Sequence, residues 1–132
     1  MTICKALLLF ALVAAEYVCA KKPEPYDERC KTDRPPIQNP GCQKSFVYVR
    51  SKHKCAWTCG RGLFVSRQEC DAVCRTPAVC TWRRPSELCT EPFKVYYLRR
   101  STGKCALDRW GCRYTGNNFP TLKECQSTCK AG

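Results

Sequence analysis

Cysteine is the residue type in this chain with the most chemistry to offer. The 132 residues include 14 cysteines, a density that marks a scaffold held by disulfides or by metal. Three close pairs, Cys55/Cys59, Cys70/Cys74 and Cys125/Cys129, have the spacing of zinc ligands. Zinc sites usually add histidine to such pairs or sit in reducing compartments. His53 is the single histidine. A thiolate nucleophile needs a free cysteine beside a base. His53 lies among lysines instead, and no serine sits in a nucleophile motif. Disulfides are therefore the expected chemistry. No metal, no cofactor and no catalytic residue is read, and the chain is read as not an enzyme.

The N-terminus supplies the compartment for that chemistry. A charged start, Met1–Lys5, precedes the apolar run Ala6–Ala15 and the small residues of Val18-Cys19-Ala20. This pattern reads as a signal peptide over 1–20, cut after Ala20. The run is well short of the roughly 20 residues that span a bilayer, so no membrane span is expected. Cleavage would remove Cys4 and Cys19 and leave 12 cysteines, two sets of six. An oxidising route makes six disulfides their natural state. The protein is read as secreted and extracellular.

The two sets fall in two consecutive stretches. Cys80, Cys89, Cys105, Cys112, Cys125 and Cys129 are separated by steps of 9, 16, 7, 13 and 4. Cys30, Cys42, Cys55, Cys59, Cys70 and Cys74 are separated by steps of 12, 13, 4, 11 and 4. Their C-terminal ends align without gaps, Phe64–Cys74 on Phe119–Cys129, with Phe six residues before the fifth cysteine in both. A Trp, Trp57 or Trp110, lies two residues before the fourth. Ser66 with Glu69 and Thr121 with Glu124 read as capping boxes. Each opens a short helix whose two cysteines, four apart, share a face. Upstream, Phe46–Val49 and Phe93–Leu98 read as strands, with turns at Ser51–Lys54 and Ser101–Gly103. The expected class is a small disulfide-rich α+β fold: two tandem modules, each a twisted β-hairpin plus a short C-terminal helix. The organisation read is an extended N-terminal arm over 21–29, a degenerate module over 30–74, a linker over 75–79, a second module over 80–129 and a tail over 130–132. Modules of this size need disulfide support. Spacing leaves the pairing open, since six cysteines allow 15 connectivities.

The steps of the second set, together with the run Gly111-Cys112-Arg113-Tyr114-Thr115-Gly116-Asn117-Asn118-Phe119, resemble the Kunitz family of the pancreatic trypsin inhibitor type. Only the third step departs from the family spacing, by one residue. The resemblance implies that the cysteines of each module pair first to sixth, second to fourth and third to fifth. That gives Cys80–Cys129, Cys89–Cys112 and Cys105–Cys125, and in the first module Cys30–Cys74, Cys42–Cys59 and Cys55–Cys70. Two unequal modules of this kind are similar to the salivary anti-haemostatic proteins of ticks. The implied function is non-covalent blockade of a host haemostatic or inflammatory serine protease by a monomer.

The family inhibits with an exposed loop around the second cysteine, and the residue after it enters the protease pocket. Here the resemblance points to Leu88, Thr90 and Glu91 in the second module, and to Gln43 and Lys44 in the first. Thr90 cannot make the ion pair that a trypsin-like pocket offers, though a small elastase-like pocket accepts it. Glu91 is larger and more charged than the family pattern. Some tick relatives instead insert their N-terminal residues, a role open to Lys21 and Lys22. The departures in Thr90-Glu91-Pro92 favour a second class of reading, a non-inhibitory binding protein that modulates an ion channel or binds a glycosaminoglycan or other ligand.

Charge supports an acidic partner. Residues 21–79 carry 12 basic and 6 acidic groups, and 80–132 carry 10 and 4, so each half has net charge +6. Basic clusters fall at the hairpin turns, Arg50, Lys52 and Lys54 in one and Arg99, Arg100 and Lys104 in the other. They are candidates for a heparin-like glycosaminoglycan or an acidic exosite. Nucleic acid is not expected of a secreted chain whose aromatics serve a small core. Tyr96, Tyr97, Trp110, Phe119, Trp57 and Phe64 are read as structural, and the resemblance implies that Asn118 is the buried amide that satisfies backbone near the hairpin.

Overall fold

The computed structural model describes residues 2–7, 16–84 and 86–131, with side chains described from Lys22 onward. Of the signal-peptide reading, residues 8–15, most of the apolar run, lie outside the described residues. Flanking them, the backbone of β1 (Thr2–Leu7) pairs antiparallel with β2 (Glu16–Lys21). The rest of the chain forms two hairpin–helix units. In unit one, β3 (Lys44–Val49) pairs with β4 (Lys54–Cys59), and α1 (Arg67–Cys74) follows. In unit two, β5 (Phe93–Arg99) pairs with β6 (Lys104–Gly111), and α2 (Leu122–Cys129) follows.

The helices begin where serine and threonine can cap them. Ser66 Oγ accepts from the Glu69 amide and Thr121 Oγ1 from the Glu124 amide, both at 3.1 Å. An eight-residue helix is marginal alone in water, and two of the three bridges in each unit anchor its helix. Unit one carries Cys30–Cys74, Cys42–Cys59 and Cys55–Cys70; unit two carries Cys80–Cys129, Cys89–Cys112 and Cys105–Cys125. Each unit also places one Phe at its centre. Phe64 bridges Phe46 through backbone bonds of 2.9 and 3.0 Å, and Phe119 bridges Tyr96 through bonds of 2.8 and 2.7 Å. Both rings are buried, Phe64 against Cys70 and Tyr48, Phe119 against Cys125 and Val79.

Three readings are corrected here and one is refined. The turn of unit one is Arg50–Lys52 closed by His53 at φ 49°, not Ser51–Lys54, because Lys54 already pairs with Val49. The arm is not extended throughout: Glu28–Cys30 makes a 3-10 turn capped by the Asp27 carboxylate. Asn118 is buried and bonds backbone just past β6, at the Arg113 carbonyl, but the amide that bonds the hairpin strand itself is Asn117. Asn117 accepts from the Leu98 amide at 2.9 Å and donates to the Leu98 carbonyl at 3.1 Å. Finally, Trp110 is not core; it is 74% exposed. The register explains this. Phe93 pairs with Gly111 but Val95 with Asp108, so β6 carries an extra residue there. Such a bulge re-aims a side chain outward. Trp57 meets no bulge, pairs with Phe46 and stays half-buried.

The units meet across a buried junction. Thr76 and Val79 in the linker are buried, and Pro77–Thr81 forms a 3-10 turn. The Gly116 amide donates to the Ala72 carbonyl at 2.7 Å, joining unit two to α1. The Arg75 side chain is only 4% exposed; it bonds the Tyr114 carbonyl and pairs with Glu124 at 3.1 Å. Tyr26 from the arm closes the cluster, donating to Glu124 at 3.0 Å with its ring over the Arg75 guanidinium.

Candidate functional site

The second-cysteine loop of unit two runs from Ser86 to Pro92, between the linker turn and β5. Leu88 is fully exposed, and Cys89 and Thr90 are exposed with it. Three features hold the loop. The Cys89–Cys112 bridge ties it to the end of β6. Glu87 pairs with Arg113, just past that bridge. Arg84 anchors the entry: its guanidinium lies 3.9 Å over the Tyr97 ring, pairs with Asp108 at 2.8 Å and bonds Asn118 Oδ1 at 2.8 and 3.0 Å. Asn118 in turn donates to the Arg113 carbonyl at 3.1 Å. Both walls of the loop thus share one hydrogen-bond network. Gly111 lets them close: a Cβ there would lie 2.5 Å from Val95 Cγ1.

Sequence reasoning missed Arg84 and Asp108. Nothing in their spacing marks them, because the contact joins residues 24 apart. The Asp108 carboxyl is held below its ordinary value; burial pushes it up, and the Trp110 amide and the Arg84 guanidinium outweigh that. A depressed folded value stabilises the fold above the unfolded value, about 3.9 for Asp. That contribution is lost as pH falls through the folded value. Melting curves between about pH 5 and about pH 2 test it: Asp108→Asn is expected to melt lower at neutral pH and to lose less further stability in acid.

In unit one, Gln43 and Lys44 are both exposed. Gln43 accepts at its carbonyl from the Gly60 amide at 3.0 Å. Lys44 opens β3 opposite Cys59, with its ammonium 4.8 Å over the Trp57 ring. It therefore lies on the hairpin, not on the loop crest. The segment before Cys42 follows the end of β4, with Ile37 bonding Thr58 and Cys59. The Lys21 side chain is outside the described residues. Lys22 lies 6.0 Å over the Phe93 ring, at the foot of the Cys89 loop. Of the turn cations, Arg99 pairs across the strand with Lys104 and donates to the Tyr97 hydroxyl at 3.2 Å. Arg100, Lys52 and Lys54 are exposed, and Arg50 bonds the Lys31 carbonyl at 3.2 Å and sits 3.9 Å from Asp33. The basic clusters thus stay at separate hairpin tips.

A cleft of 820 Å³ opens between the arm, the tip of unit one and α2, lined by Tyr26, Tyr48, His53, Arg75 and Glu124. Its charged pairs, Arg75 with Glu124 and Lys31 with Glu28 at its edge, neutralise one another. No group of three His, Cys, Asp or Glu among the described residues is arranged to hold a metal, and no described helix is long and apolar enough to cross a membrane.

Exposure ranks the bridges for chemical attack, which needs access to sulfur. Cys89 is exposed, whereas Cys70 and Cys125 are fully buried. Under limiting dithiothreitol, Cys89–Cys112 is expected to open at least about tenfold faster than Cys55–Cys70 or Cys105–Cys125. Differential alkylation with mass spectrometry reads the order directly; equal rates would mean that the loop does not expose its bridge.

The family model described as the Kunitz/Bovine pancreatic trypsin inhibitor domain matches residues 79–130. The inter-alpha-trypsin inhibitor of Equus caballus is 36% identical over 67 residues, which is 50% of this chain and 54% of that protein. The chain thus spans about half the length of that relative, and 20% of the protein AMBP of Sus scrofa. PI-stichotoxin-Hcr2j of Radianthus crispa is 37% identical over 54 residues, 40% of this chain and 75% of the toxin. Among solved structures, that of Ixolaris, studied with factor X, aligns at a TM-score of 0.36 and 19% identity, covering 71% of this chain and 87% of its own.

Proposed function

The chain belongs to the Kunitz/bovine pancreatic trypsin inhibitor family, and from that premise we propose that it is a secreted inhibitor of an extracellular serine protease. Residues 1–20 are removed as a signal peptide. The two hairpin–helix units act as tandem modules, with 30–74 the degenerate one. The contact is made by Leu88, Thr90 and Glu91, and the target has a small, elastase-like pocket for Thr90. The source of the protease is a host whose haemostatic or inflammatory system the protein restrains.

One observation carries this reading. The Ser86–Pro92 loop exposes Leu88 and Thr90 while a bridge, two ion pairs and Asn118 fix its base. Fixing a loop before binding lowers the entropy cost of association. The alternative is a non-inhibitory binding protein, favoured by Thr90 and Glu91 standing where a basic and a small residue serve the family.

Residual activities of trypsin, thrombin, factor Xa, elastase and chymotrypsin with the purified protein, at low and high salt, test the proposal. Inhibition of elastase with little effect on trypsin is the expected result. Full activity of every enzyme at micromolar protein would remove the inhibitor reading for these targets and leave the binding-protein alternative. Loss of inhibition in high salt would assign the contact to the basic clusters.

A further inference from the structure

We propose that unit one carries a binding face for a sulfated oligosaccharide, built from Lys44, Arg61 and Arg67 and separate from both hairpin tips. All three side chains are exposed. None takes part in an ion pair among the described residues. The nearest acid on α1, Glu69, is turned to Arg29 at 3.5 Å and to the Val65 amide at 3.4 Å.

The three belong to different segments that the fold brings side by side. Lys44 lies on β3 with its ammonium 4.8 Å over Trp57, and Arg67 opens α1 with its guanidinium 5.6 Å over Phe46. Phe46 and Trp57 are direct cross-strand partners. Arg61 sits between Gly60 and Gly62, and both of these are tied to β3. The Gly60 amide bonds the Gln43 carbonyl, and the Gly62 amide bonds Ser45 Oγ. Two of the cations are thus steadied on aromatic rings. Less side-chain freedom is lost when they take up an anion.

A ligand that satisfies all three must carry several anions along a chain. A single phosphate carries at most about two charges for three cations, and an acidic protein surface would bring cations of its own. A sulfated sugar chain presents repeated anions with donor hydroxyls between them. The tips are poorer in this respect, since Arg50 is already engaged by Lys31 and Asp33, and Arg99 by Tyr97. Lys44 follows Gln43 directly, so an occupied face would crowd the second-cysteine loop of unit one.

Calorimetric titration of the full protein with a heparin-derived octasaccharide, in about 0.15 M salt, tests the proposal. Lys44→Gln/Arg61→Gln/Arg67→Gln is expected to weaken binding by about tenfold or more, and Lys52→Gln/Arg100→Gln/Lys104→Gln by about threefold or less. Circular dichroism and intact mass verify that both variants keep their fold and six bridges. The proposal is overturned if the tip variant loses as much as the face variant, if polyglutamate of equal charge binds as tightly as the octasaccharide, or if the unsubstituted protein does not bind the octasaccharide.

Discussion

Thr90→Arg is expected to raise affinity for trypsin by at least about a hundredfold, because a pocket with an acid at its base rejects a side chain that leaves that acid unpaired. The position is suited to the change. Thr90 is exposed and follows the exposed Cys89, so a longer side chain meets no packed neighbour that must move. The loop base is held by Arg84, Asp108 and the Glu87–Arg113 pair, none of which the substitution touches. Fold and loop shape should therefore survive, and the gain should come from the new ion pair alone. Glu91 follows immediately, and its carboxylate would partly offset the incoming guanidinium. Thr90→Arg/Glu91→Ala is expected to bind tighter still. Inhibition constants from competition with a chromogenic substrate decide the matter. Gln43→Arg serves as the parallel change in unit one. If Thr90→Arg remains folded and trypsin affinity moves less than a few-fold, the Ser86–Pro92 loop is not a substrate-like contact, and the inhibitor proposal must look elsewhere on the molecule.

Local signals were legible because the physics behind them is local. Ser66 and Thr121 cap helices because a hydroxyl three residues before an amide can reach it, and spacing alone reveals that. The strands at Phe93 and Phe46 followed from β-branched and aromatic runs. Trp110 shows the limit. Its spacing from Cys112 equals that of Trp57 from Cys59, yet one ring points outward and the other packs. The difference is a bulge opposite Lys94, a property of strand register that no single-strand pattern encodes. The role of Asn117 is hidden for the same reason, since Asn117 and Asn118 are both buried and only the register selects which one meets Leu98. Its spacing from Thr121 makes Glu124 half of a capping box. Its carboxylate serves Arg75 and Tyr26 instead, 49 and 98 residues away in sequence. Chain spacing leaves the pairing of cysteines open, and the family resemblance supplies it.

The junction that Glu124 helps to form carries the largest stability prediction. Arg75→Gln is expected to cost about 2–4 kcal/mol, since removing one partner strands the other in a partly buried setting. The Arg75 side chain is 4% exposed and that of Glu124 24%, so the carboxylate left behind would keep only partial access to water. The Tyr114 carbonyl would lose its donor too, and Tyr26 would lose the cation beneath its ring. One gain offsets part of this: Arg75 Nε has no hydrogen-bond partner among the described residues, so the wild-type fork is already imperfectly satisfied. Arg75 also sits at φ 51°, a left-handed conformation that a non-glycine residue adopts at some cost. Arg75→Gln keeps that backbone cost while losing the fork, which isolates the side-chain contribution. Guanidinium unfolding with all bridges intact measures it. Arg75→Met/Glu124→Leu should cost less than Arg75→Gln, because removing both charges leaves neither buried alone. The same curves report on coupling. With the fork present, the buried linker and the Gly116–Ala72 bond should make the two units unfold in one transition. With Arg75→Gln, two transitions are expected, the units parting before either loses its disulfide-held core. A single unshifted transition in Arg75→Gln would show that Thr76, Val79 and the Gly116 bond join the units unaided, and would reduce Arg75 to a surface-like contributor despite its burial.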